Sequence, residues 1–86
     1  MSDRENHDLC TRKFIELANS LKDEGHSVQL VSAALLAASG IYLTFATAGN
    51  AGALEPSGVD KAVALFRKNL EHIQARKKAE LGGAVN

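Results

Sequence analysis

From Ser27 to Leu54 the chain carries no charged side chain, while the segments on either side are dense in them. The heart of this run, Val28 to Ala48, reads VQLVSAALLAASGIYLTFATA. Wound as a helix at about 100° per residue, it has three faces. Val28, Val31, Leu35 and Tyr42 share the first, with Ala38 and Phe45 at its edge. Leu30, Ala34, Ala37, Ile41 and Ala48 share the second. Gln29, Ser32, Leu36, Ser39, Gly40, Leu43 and Thr47 form the third, which is mixed in character but still presents two leucines. A helix apolar nearly all round is either buried in protein or laid across a membrane, and the rest of the chain must be read against that choice.

The run is long enough for a bilayer, which needs about 20 apolar residues. Its chemistry points to water. Gln29, Ser32, Ser39, Thr44 and Thr47 interrupt it, and six of the residues between Val28 and Ala48 are the weakly lipophilic alanine. Lys22, Asp23 and Glu24 precede it and Glu55 follows, so neither flank has a basic bias, and the chain has no Trp to mark an interface. A soluble core helix is therefore the expectation, and a membrane is not the expected partner. The polar, mixed-charge start Met1-Ser2-Asp3-Arg4-Glu5-Asn6-His7-Asp8 lacks the basic-then-apolar order of a signal peptide.

Two amphipathic helices flank the run. In the first, expected from about Asp8 to Glu24 with Asn6 or Asp8 as its cap, Cys10, Phe14, Leu17, Ala18 and Leu21 make one apolar stripe. Gly25 stops it. Gly25-His26-Ser27 is then a short linker, with Ser27 placed to cap the central helix, expected over 27–48; so short a connection makes neighbours of the two helices. Gly49-Asn50-Ala51-Gly52-Ala53-Leu54-Glu55-Pro56 reads as a loop. Ser57-Gly58-Val59-Asp60 has the form of a capping box opening a third helix over about 58–81. There Val59, Val63, Phe66, Leu70 and Ile73 repeat at four, three, four and three, the cleanest heptad in the chain. Tails 1–7 and 82–86 are expected to be flexible. The whole is a single all-helical domain over 1–86, with a fold class of all-α: three helices around a buried central one.

Eighty-six residues form one small domain with a thin margin of stability. Each flanking helix covers an apolar stripe of about 100°, which leaves about 160° of the central helix without a neighbour. A second copy is the simplest cover, so a helical dimer is expected, most simply a two-fold one. The candidate self-association face is Ser32, Leu36, Ser39, Gly40, Leu43 and Thr47, where the small residues let two backbones approach closely.

Phe14-Ile15-Glu16-Leu17-Ala18-Asn19, followed by Val31-Ser32-Ala33-Ala34-Leu35-Leu36-Ala37-Ala38, resembles a set of short bacterial proteins classed as a domain of unknown function (number 3144). The resemblance covers roughly Phe14 to Ile73. It implies a small helical cytosolic protein of bacteria and carries over no activity and no catalytic residue.

Reactive constellations are thin. Ten basic and ten acidic side chains cancel, which speaks against a nucleic-acid binder working through bulk charge. Arg67, Lys68, Arg76, Lys77 and Lys78 form a basic patch, but Glu71 and Glu80 break it and no aromatic interleaves for stacking. His7 and Cys10 stand one turn apart, yet zinc needs three or four ligands, and His26 and His72 are distant in sequence. Gly49-Asn50-Ala51-Gly52 imitates a phosphate loop without its preceding strand or its Lys-Ser/Thr. Glu71 and His72 are adjacent and so do not face each other. Tyr42, the one tyrosine, is expected in the core with its hydroxyl bonded. The lone Cys10, expected as a packed thiol, makes no internal disulfide and suits a reducing cytoplasm. No enzyme activity, cofactor, metal or nucleic acid is expected. The expected role is a soluble self-associating interaction or structural module, a homo-oligomer with room for an unidentified protein partner. The alternatives are a carrier of a small apolar ligand near Leu36, Gly40 and Leu43, and a single-span membrane protein.

Overall fold

A computed structural model describes residues 2–49 and 52–85. Among the described residues the chain is all-helical: α1 spans Asp3–Asp23, α2 spans Val28–Ala48 and α3 spans Pro56–Val85.

α1 begins five residues before the expected start at Asp8, because its cap is Ser2 rather than Asn6 or Asp8. Glu5 N–H donates to Ser2 Oγ at 3.2 Å, and Ser2 N–H donates to Glu5 Oε1 at 3.2 Å. This reciprocal capping box satisfies two backbone donors that the first turn leaves unpaired. The signal, Ser2-x-x-Glu5, stands in the sequence. Asp3 and Glu5 in the first turn and Lys22 in the last complement the helix dipole. At the other end Gly25 takes φ +108°. Its N–H donates to the Lys22 carbonyl at 2.9 Å, and His26 N–H donates to the Leu21 carbonyl at 3.4 Å. These paired bonds are the Schellman closure, which requires a left-handed residue that glycine supplies without strain.

Ser27 then caps α2: its Oγ accepts from Leu30 N–H at 3.1 Å, and its carbonyl accepts from Val31 N–H at 3.0 Å. Ser27→Ala is expected to cost about 1 kcal/mol of helix stability. It would appear as faster amide exchange at Leu30, and an unchanged rate there would dismiss the cap.

Gly49, at φ +81°, follows the last residue of α2, and Gly52 N–H donates to the Gly49 carbonyl at 3.3 Å. Asn50 and Ala51, the middle of the expected loop, lie outside the described residues. A Cβ on Gly52 would press into the Ala48 carbonyl oxygen and sit 2.8 Å from the Ala48 Cβ. The first obstacle is backbone and cannot rotate away. Gly52→Ala is therefore expected to break the Gly52–Gly49 bond and raise exchange at the Gly52 amide about fivefold, the equivalent of about 1 kcal/mol. Unaltered exchange would mean that the turn accepts a side chain.

α3 starts at Pro56, two residues before the expected start at Gly58, and the capping box expected at Ser57–Asp60 is not its opening. Proline suits the first helical position, where its fixed φ is already helical and its missing N–H would have been unpaired in any case. Val59 N–H donates to the Glu55 carbonyl at 3.0 Å, which closes the first turn. The Leu54 side chain lies over Gly58, within 3.5 Å of where a Cβ would stand. α3 continues to Val85, past the expected end near Leu81, and residues 3–7 at the other terminus are likewise helical. Of the tail residues, Met1 and Asn86 lie outside the described ones.

The chain forms two compact units, one through residue 46 and one from residue 47. The boundary falls in the last turn of α2. In the first unit, α1 and α2, each 21 residues long, are joined by the four residues Glu24 to Ser27, the arrangement of a helical hairpin. Ala18 and Leu21 on α1 are half-buried, and Val31 on α2 is buried at 9% exposure. These three lie near the connection. Leu9 and Thr44 are half-buried farther along. The other members of the expected α1 stripe, Cys10, Phe14 and Leu17, are exposed. In the second unit, Val59, Val63, Phe66, Leu70 and Ile73 of α3 are all exposed, and Leu54, Gly58 and Ala62 are half-buried.

The burial expected for α2 is absent within one chain. Val31 is its one buried residue, so the two covering stripes of about 100° that the sequence suggests are not realised. The physical reason lies in the side chains near the seam. The large apolar residues of α2 point around its whole circumference, and α1, the helix that shares its unit, lies along one side.

Candidate self-association surface

An unbroken helix over Val28–Ala48 places Ser32, Leu36, Ser39, Gly40, Leu43 and Thr47 within about 100° of arc. None of the six is buried. Leu36 is 59% exposed and Leu43 37%. Around Gly40 there is open space, with nothing within 4 Å of where a Cβ would stand. Thr44, beside this face, donates its hydroxyl to the Gly40 carbonyl at 2.9 Å. That bond satisfies the hydroxyl inside its own helix.

Ile41 at 73% exposure and Tyr42 close behind are the most open large apolar residues of α2, and both lie outside the six. Tyr42 is correspondingly not a core residue. Its ring stands 5.9 Å from that of Phe45 at a 59° tilt, one turn along the same helix. Such a tilted pair stiffens a local patch without covering it.

The remaining candidates stay scattered. Cys10 is exposed rather than packed. His7 Nδ1 lies 3.5 Å from its neighbour Asp8 rather than against Cys10. Among the described residues no three His, Cys, Asp or Glu side chains converge as metal ligands. Glu71 and His72 are both exposed on α3. A concavity of about 490 Å³ is lined by Val28, Gln29, Ser32, Ala33 and Leu36. A second, of about 590 Å³, runs along α3 past Phe66, Leu70 and Lys78. Each is lined by one helix alone, so neither has the opposing wall that would surround a small molecule on most sides.

Comparison with models of known protein families, with curated proteins and with solved structures finds no match to this chain.

Proposed function

We propose that the chain is a self-associating helical module, in which α2 is covered by the α2 of a second copy through the face centred on Leu36, Gly40 and Leu43. One observation carries this reading: α2 is apolar on every side, yet only Val31 is buried. Each large apolar side chain taken out of water contributes about 1.5–3 kcal/mol. Val28, Leu30, Leu35, Leu36, Ile41, Tyr42, Leu43 and Phe45 are all exposed on this one helix. A continuous apolar surface of this kind marks an interaction site rather than a resting surface. Membership in the resembled family of short bacterial proteins, a cytoplasmic setting, and a role without catalysis or cofactor belong to the same proposal. An additional protein partner fits it as well, since self-association leaves α1 and α3 free to present side chains.

Gly40→Leu tests the interface. Within one chain nothing lies within 4 Å of the new Cβ, and replacing a helical glycine improves propensity by about 0.8–1 kcal/mol. The single chain therefore tolerates the change, and any effect on assembly comes from the contact between copies. Light scattering after size exclusion should report an oligomer for the unaltered chain and a reduced mass for Gly40→Leu. An oligomer indifferent to the substitution would place the contact on another face.

A second reading rests on its own observation. α2 is long and apolar enough to cross a bilayer, and 21 residues rise about 31 Å, close to a hydrocarbon thickness of about 30 Å. Against it, α1 shares a compact unit with α2 and carries Arg4, Arg12, Lys13, Glu16 and Lys22. Drawing these charges into hydrocarbon costs about 2.5–3.5 kcal/mol apiece at mid-depth. Fractionation without detergent separates the readings: the self-associating module stays in the supernatant, and a span pellets with membranes.

A further inference from the structure

We draw no further inference here: the strongest candidate, the exposed apolar stripe Val59, Val63, Phe66, Leu70 and Ile73 along α3, is an unpartnered helix face, and nothing in the structure shows what covers it.

Discussion

A chain carrying Leu36→Asp is expected to run as a monomer at micromolar concentration in detergent-free buffer, where the unaltered chain gives two chain masses or more. Leu36 is open to solvent within one chain, so the substitution leaves the hairpin intact and costs at most about 0.7 kcal/mol in helix propensity. Between two copies the same carboxylate is caught between apolar surfaces with no partner. The penalty for such a charge is several kcal/mol, and in a two-fold assembly it is incurred twice. Association should weaken about 100-fold or more, a change of about 2.8 kcal/mol. Sedimentation over a concentration series measures it. If both chains sediment as monomers, the module reading is wrong. If both remain oligomeric, the contact lies elsewhere on α2, with the side bearing Ile41 next in line.

Val31→Asp is expected to unfold the hairpin. Two effects oppose each other at this position. A carboxylate in the first turn of α2 gains about 0.3–1 kcal/mol from the helix dipole. Burying it at the one covered position of the helix costs several kcal/mol and forfeits about 1.5–3 kcal/mol of valine burial. Burial wins, with a net loss of about 3 kcal/mol or more. Leu30→Asp is the control, because Leu30 sits in the same turn but is exposed and feels the dipole without the burial. Both are best measured in the Leu36→Asp background, where assembly does not contribute. Thermal melting followed by circular dichroism should fall by about 10 °C or more for Val31→Asp and much less for Leu30→Asp. Equal shifts would show that the seam near Val31 holds nothing together.

The elements of this fold are local, and local signals carried most of them. Gly25 marks the end of α1 because only a residue at ease with positive φ closes a Schellman turn. Ser27 marks the start of α2 because its hydroxyl reaches a free amide three residues on. The start of α1 was equally legible in Ser2-x-x-Glu5, but the apolar stripe draws the eye to Cys10 and beyond, and a helix beginning with polar residues has no stripe to announce it. Pro56, the last residue of the expected loop, is the first residue of α3. Proline forbids the interior of a helix and suits its first position, and composition alone does not tell the two apart. The candidate face on α2 was legible as spacing, since Ser32, Leu36, Ser39, Gly40, Leu43 and Thr47 follow from helical geometry alone.

By itself the sequence determined that this chain is three helices, that the middle one is uncharged throughout, and where the turn between the first two closes. Each of these follows from backbone geometry and capping within a few residues. Only the tertiary structure decided how much of the middle helix one chain covers. Coverage depends on which surfaces meet and on how much each side chain brings to the contact, and α2, apolar around its circumference, buries one valine. Spacing along a chain records which residues share a face; whether anything lies against that face is a property of the assembled surface.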